Sequence, residues 1–229
     1  MKQLRITLLA AFLPLVLWAQ DEPKIEVKLT LKGHASDVNS VAWSPDGKWI
    51  VTGSGDANET AKVWDSGTGQ EVVTLDGHEY GVISAAWSPD GKRIVTGSWD
   101  KTAKVWQAAT GQELFTLIGH NGSVKSVVWS SDGQRILTAG NSDQTAKIWE
   151  AEMGQELFAL TSHNDSVKSA VWSPDGKRIL TAGSNGQTVK VWKAETGREL
   201  ISLKGHNNSA YSAAWSPDGK RIVTSSKDT

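Results

Sequence analysis

Ala85–Thr96 reads AAWSPDGKRIVT, and Ala213–Thr224 reads the same twelve letters. Working outward from these copies, a Trp-Ser-Pro-Asp-Gly run begins at Trp43, Trp87, Trp172 and Trp215, with the variant Trp-Ser-Ser-Asp-Gly at Trp129. The only five histidines are His34, His78, His120, His163 and His206, spaced by 44, 42, 43 and 43 residues. Four of them follow glycine, at Gly33, Gly77, Gly119 and Gly205. A second tryptophan closes four of the units, at Trp64, Trp106, Trp149 and Trp192. Two positions of one repeat therefore hold 9 of the 12 tryptophans, leaving Trp18, Trp49 and Trp99. A fixed period of this length is the signature of a repeat architecture, with units beginning near residues 31, 75, 117, 160 and 203.

Within a unit the chain alternates apolar and polar residues in short runs separated by turn residues, the pattern of β-strands. In the second unit the runs are residues 82–87, 93–98, 102–107 and 113–117. Between the first two, Ser88-Pro89-Asp90-Gly91 puts proline where φ near −65° is wanted and glycine where φ turns positive, so a hairpin forms. Thr110-Gly111 turns the third strand into the fourth in the same way. Glycine is punctuation here, and Gly67-Thr68-Gly69 opens no helix that could cradle a phosphate. A four-stranded sheet of this size cannot bury both faces alone. The sheets must stack as blades, with the large tryptophan of each first strand filling the space between neighbours.

Composition excludes several classes of function. The 229 residues carry 24 Lys plus Arg against 25 Asp plus Glu, a net charge of −1, so no sequence-wide positive field draws nucleic acid or an anionic membrane. Cysteine is absent, which removes disulfides, thiolate nucleophiles and Cys-ligated metals together. The five histidines recur once per unit and so are too dispersed to share one ion. Turn formation already explains the hairpin aspartates Asp46, Asp90, Asp132, Asp175 and Asp218. No nucleophile elbow, zinc-protease helix, EF-hand or phosphate loop occurs, and no cofactor is expected. Lys92-Arg93, Lys177-Arg178 and Lys220-Arg221 lie beside hairpin aspartates and predict a solvated, mixed-charge rim.

The Gly-His, the Ser-Pro-Asp-Gly hairpin, an Asp two residues before Thr and a Trp closing the third strand together resemble the WD40 β-propeller family, over about Lys24–Thr229. The resemblance implies an all-β fold of four-stranded antiparallel blades, four complete and one incomplete. It further implies a buried hydrogen-bonded tetrad in each blade: His78, Thr96, Asp100 and Trp106 in the second, and His120, Thr138, Asp143 and Trp149 in the third. The first offers His34, Thr52 and Trp64, with Asp56 and Asn58 both placed to supply the fourth member. The fourth offers His163, Thr181 and Trp192 but has Asn185 and Gly186 where Asp is expected, and the fifth offers His206, Thr224 and Asp228. Only Trp64-Asp65 spells the dipeptide that names the family.

Repeats of this family begin with the outer strand of the preceding blade, so residues 24–31 are expected to be an outer strand closing the ring onto the last blade. The fifth unit has two strands, 210–215 and 221–226, before Lys227-Asp228-Thr229. The usual seven blades would need roughly 300 residues at about 43 each. An incomplete reading frame is the first expectation, and a ring completed by another copy through the incomplete blade is its rival. At the other end, Lys2 and Arg5 precede an uncharged apolar run, Ile6–Trp18, then Ala19, Gln20, Asp21, Glu22 and Pro23. These are the three parts of a secretory signal spanning residues 1–19, with residues 20–229 as the propeller. The run is shorter than the ~20 residues of a spanning helix. Cleavage after Ala19 leaves no membrane anchor and places the chain in a periplasm or outside the cell, where a cysteine-free chain has no thiol to oxidise.

The Gly-His loops and the turns after the second strands should share one face, the one that WD40 proteins use for protein or peptide partners. Outside the tetrads it carries Asp37, Glu79, Tyr80, Trp99, Asn121, Asn141, Asn164, Asp165, Asn207 and Asn208. Trp99 stands out because the other units put no aromatic there; it is either an interface anchor or packed against a neighbouring loop such as that of Tyr80. Asn121, Asn164 and Asn207 each begin Asn-x-Ser, where loop capping is preferred over glycan attachment. Trp49 begins a second strand and is expected to cover the opposite rim. These features predict a noncatalytic scaffold for protein or peptide partners. Behind it rank a small-molecule or glycan site near the axis and, third, an enzyme with dispersed axial residues.

Overall fold

The computed structural model describes residues 28–55, 60–161, 163, 166–183 and 189–228. Among these residues the fold is all-β. Four sheets have four antiparallel strands each: β1–β4 (Val38–Trp43, Trp49–Ser54, Ala61–Asp65, Glu71–Leu75), β5–β8 (Val82–Trp87, Arg93–Ser98, Ala103–Gln107, Glu113–Leu117), β9–β12 (Val124–Trp129, Arg135–Gly140, Ala146–Glu150, Glu156–Leu160) and β13–β16 (Val167–Trp172, Arg178–Gly183, Val189–Lys193, Glu199–Leu203). A fifth has two, β17 (Ala210–Trp215) and β18 (Ile222–Ser226). Strands follow chain order within every sheet, as short hairpins demand.

Each first hairpin is held by its own side chains. Ser88 Oγ donates to Asp90 Oδ1 (2.6 Å), Asp90 Oδ1 also accepts from Lys92 N–H (3.0 Å), and Gly91 closes the turn at φ 70°. A side chain at Gly91 would strain this left-handed backbone. The variant Ser-Ser-Asp-Gly hairpin keeps the geometry, with Ser130 Oγ on Asp132 and Gly133 at φ 69°. Hydrogen bonds from the Ser88 hydroxyl and Lys92 N–H hold Asp90 below the usual carboxylate range against the effect of burial. These aspartates are turn caps held ionised, the opposite of a general acid's requirement.

The hydrophobic core lies between the sheets. One cluster joins Val51, Ala61, Val63 and Leu75 of the first blade to Val82, Trp87, Ile94 and Trp106 of the second, and the arrangement recurs at the next two boundaries. In the four complete blades the second strands are buried on both faces after their first residue. Trp87, Trp129, Trp172 and Trp215 sit at these boundaries, but Trp43, which ends β1, is 48% exposed with no preceding blade against it among the described residues, which corrects the expectation there; the last three have a partner that the sequence did not signal. The Arg93 guanidinium stacks 4.7 Å from the Trp129 ring centroid, Arg135 at 4.8 Å from Trp172, and Arg178 at 4.5 Å from Trp215. The same arginines donate to carbonyls of the following blade: Arg93 to Ala151, Arg135 to Ala194 (3.1 Å) and Arg178 to Gly219 (2.9 Å). Lys92 and Lys177 are exposed, but Arg93 and Arg178 are half-buried. The expectation of a solvated rim holds for Lys92, Lys177, Lys220 and Arg221, which are exposed, and is corrected for Arg93 and Arg178, because a flat guanidinium over an indole covers it while its N–H groups bond across the boundary. In the first blade Trp49 takes the arginine's place and packs against the cluster that holds Trp87.

The expected outer strand over residues 24–31 falls partly outside the described residues. Residues 28–31 form no strand, having no neighbouring strand to pair with among the described residues. Leu31 instead buries against Ile50 and Trp64.

Candidate functional site

In the second blade the His78 ring bridges two elements. Its Nδ1 meets Asp100 Oδ2 at 2.6 Å, its Nε2 meets Thr96 Oγ1 at 2.7 Å, and Trp106 Nε1–H donates to that same hydroxyl at 2.7 Å. A carboxylate only accepts, so the proton between His78 and Asp100 belongs to Nδ1. Nε2 and the indole N–H then meet on the one Thr96 hydroxyl. Asp100 is held down to about 2: burial works to raise it, but the hydrogen bonds from His78 and Thr102 outweigh burial. His120, Thr138, Asp143 and Trp149 meet in the same way in the third blade. In the first, His34 Nε2 lies 2.6 Å from Thr52 Oγ1, which accepts from Trp64 at 2.8 Å; Asp56 and Asn58 lie outside the described residues. In the fourth, His163 and Trp192 meet on Thr181 at 2.6 and 2.8 Å, and Asn185 and Gly186 lie outside the described residues. In the fifth, His206 meets Asp228 at 2.6 Å and Thr224 at 2.7 Å. The Gly-His glycines are small because the indole comes close: a Cβ at Gly33, Gly77 or Gly119 would lie 3.0, 3.2 or 3.1 Å from the tryptophan ring.

Beside each His–Thr–Trp cluster a lysine of the third strand pairs with a glutamate of the fourth, Lys62–Glu71, Lys104–Glu113, Lys147–Glu156 and Lys190–Glu199, all at 2.8 Å. Sequence reasoning passed over these pairs, although their constant spacing of nine residues was readable.

The tetrads fix the loops that flank them. Ser98 Oγ donates to Tyr80 O (2.8 Å) and Trp99 N–H donates to Gly81 O (3.1 Å), tying the loop before β5 to the turn after β6. Tyr80 and Trp99 stay 53% and 41% exposed on these tied loops, and no ring contact joins the two. Asp37, Glu79, Asn121, Asn207 and Asn208 are exposed. Asn208 Oδ1 accepts from Ser209 N–H (2.8 Å), a capping contact. Asn141 is half-buried and its Oδ1 accepts from Lys168 Nζ (3.3 Å) across a blade boundary, so it joins loops more than it faces solvent. Asn164 and Asp165 lie outside the described residues. Among the described residues no three His, Asp or Glu side chains are grouped to hold a metal ion.

On the hairpin side an open cleft of about 750 Å³ runs between the second and third blades, lined by Asp90, Lys92, Arg93, Arg135, Glu150 and Glu152. Its two signs of charge alternate, so it presents no coherent field to one kind of ion.

Stacked four-stranded antiparallel blades pinned by a repeated His–Thr–Trp cluster define a β-propeller repeat protein. The family model described as the TolB beta propeller domain matches residues 57–229, more than half of the chain, and the model described as WD domain, G-beta repeat, matches residues 25–65. The chain belongs to the TolB-type β-propeller family, and its first repeat is similar to the WD domain, G-beta repeat. Propeller domains of these families are commonly protein-interaction scaffolds and are generally noncatalytic.

Proposed function

We propose that this protein is an exported, noncatalytic scaffold that binds a protein or peptide partner on its Gly-His loop face, with Tyr80 and Trp99 as anchors. The observation that carries this reading is two large aromatic side chains left exposed on loops whose backbones are already bonded to each other. An anchor on an ordered loop loses little conformational freedom when it is covered, and aromatic residues dominate interface energetics. The high similarity of the blades favours several modest contacts over one deep pocket. The N-terminal segment and the TolB-type match both favour export.

Cross-linked pull-down from the exported fraction, comparing the native chain with Trp99→Ala and with Tyr80→Ala/Trp99→Ala, tests the binding face. Each substitution is expected to weaken partner recovery by on the order of tenfold, as for an aromatic hot spot. Undiminished recovery, or a signal on a glycan array that depends on Trp99, sinks the proposal in favour of another face or of a sugar ligand. N-terminal sequencing of the exported protein is expected to begin at Gln20; an intact Met1 start would remove export.

A further inference from the structure

The boundary between the first two blades departs from the three that follow it. At each of those three, an arginine at the start of a second strand lies over the tryptophan that ends the first strand of the following blade: Arg93 over Trp129, Arg135 over Trp172 and Arg178 over Trp215. Its N–H groups go to main-chain carbonyls of that following blade, either the hairpin glycine or the alanine just after the third strand. Arg93 donates to Ala151 O and to Gly133 O (3.5 Å), Arg135 to Ala194 O (3.1 Å) and Arg178 to Gly219 O (2.9 Å).

At the first boundary the corresponding residue is Trp49, and among the described residues no guanidinium lies over Trp87. The two indoles make no ring contact with each other. They wall a recess of about 220 Å³, together with Val63 and Val72. Gly91 and Ala108, the counterparts of Gly133 and Ala151, form its other side. Among the described residues neither carbonyl accepts a hydrogen bond from a side chain, whereas Gly133 O and Ala151 O both accept from Arg93. Ala109 completes the lip where the next two blades have Glu152 and Glu195, so no carboxylate lines the recess. The chain before β1 leads away from it: Leu31 packs with Ile50 and Trp64, on the face of the first blade opposite to the Val51 and Val63 that meet the second blade.

We infer that this recess receives one arginine side chain of a partner protein, seated as Arg93, Arg135 and Arg178 are seated within the chain at the other boundaries. The guanidinium lies over Trp87 and donates to Gly91 O and Ala108 O. An apolar side chain would fill the same volume but leave both carbonyls without a donor. Lysine is a poor substitute, because its compact ammonium cannot stack flat on an indole while forking to two acceptors. The recess is smaller than the about 300–1,000 Å³ of a small-molecule site, which suits a single side chain. Val72 and Ala109 at its mouth are exposed, so the arginine stem leads out to a backbone in solvent. The recess lies at the hairpin end of the strands and shares no residue with the Tyr80–Trp99 surface, so the two proposals fail separately.

The full chain is titrated with the peptide acetyl-Gly-Gly-Arg-Gly-Gly-amide while NMR follows its assigned tryptophan indole N–H signals. Saturable shifts confined to Trp49 and Trp87 are expected. The same peptide with lysine or citrulline in place of arginine is expected to bind about fivefold more weakly or worse, since lysine lacks the planar fork and citrulline the charge over the ring. Free arginine should bind no more tightly than the peptide, because only the side chain enters. The acceptors are neutral carbonyls, so added salt should change the affinity little, unlike that of a surface ion pair. On the protein side, Trp49→Arg supplies the guanidinium from within, at a position where three other blades already hold arginine, and is expected to abolish the Trp87 shift. Circular dichroism checks that this variant is folded. No saturable shift in the native chain, equal binding of the lysine, citrulline or a leucine peptide, steep salt dependence, undiminished binding to folded Trp49→Arg, or free arginine binding more tightly than the peptide would each overturn the assignment.

Discussion

Trp106→Ala is expected to destabilise the second blade by about 3–5 kcal/mol, the range for removing a fully buried aromatic side chain. The indole sits between blades, packed with Val51, Ala61, Val63, Leu75 and Ile94. Its loss also leaves Thr96 Oγ1, buried at the centre of the His78–Asp100 chain, without its donor. Trp106→Phe separates the two effects. It keeps most of the apolar volume and loses the N–H, so about 1 kcal/mol of hydrogen bonding plus a smaller cavity term is expected. Trp99→Ala, on an exposed turn, should change stability by no more than about 0.5 kcal/mol. Urea denaturation followed by circular dichroism ranks the three. A repeat protein whose blades contact mainly their neighbours can lose one region before the rest, so a split transition in Trp106→Ala is also expected. Equal midpoints for Trp106→Ala and Trp99→Ala would contradict the load placed on the inter-blade indole.

Repetition made the fold legible. The Ser-Pro-Asp-Gly hairpins and the spacing of Gly-His to tryptophan are local signals, and five copies in phase remove the ambiguity that one short strand would carry. The strands of the second unit lie within one residue of their expected limits. Contacts between blades were less visible. Arg93 over Trp129 joins residues whose proximity is set by how one sheet stacks on the next, and sequence adjacency suggested only a charged turn. Trp49 shows the same logic in reverse: it stands where later units have arginine and packs near Trp87 in place of a guanidinium. On the loop face, sequence could nominate exposed positions but could not separate Tyr80 and Trp99, which remain open, from Asn141, which Lys168 engages. A loop side chain's exposure depends on neighbours from another blade, and no periodicity encodes them.

The fourth blade should be the most acid-sensitive. His163 is almost fully buried against Thr181, and a Cβ on Gly183 would lie 2.6 Å from its Nδ1, so the ring is closely confined. Burial pushes its pKa down to about 4, the positive charge of Lys190 adds to that, and Glu199 opposes it only in part. The unfolded chain takes up this proton near the ordinary histidine value of about 6.5. Because the folded value is the lower of the two, the unfolded state binds more protons between them, and stability falls as the pH drops through that window. The contribution is complete above about pH 6.5 and gone by about pH 4, with a span on the order of 3 kcal/mol. Asp100 works in a different window: its lowered value stabilises the second blade until the pH falls below the ordinary carboxylate range toward about 2. Between pH 7.5 and 5 the histidine should therefore dominate the difference between these two blades. His163→Gln is expected to cost stability at pH 7.5, where Thr181 loses its ring partner, and to lose less than the native chain on going to pH 5. Urea midpoints at the two pH values, taken for both proteins, measure that difference. Parallel losses would show that acid sensitivity originates elsewhere in the propeller.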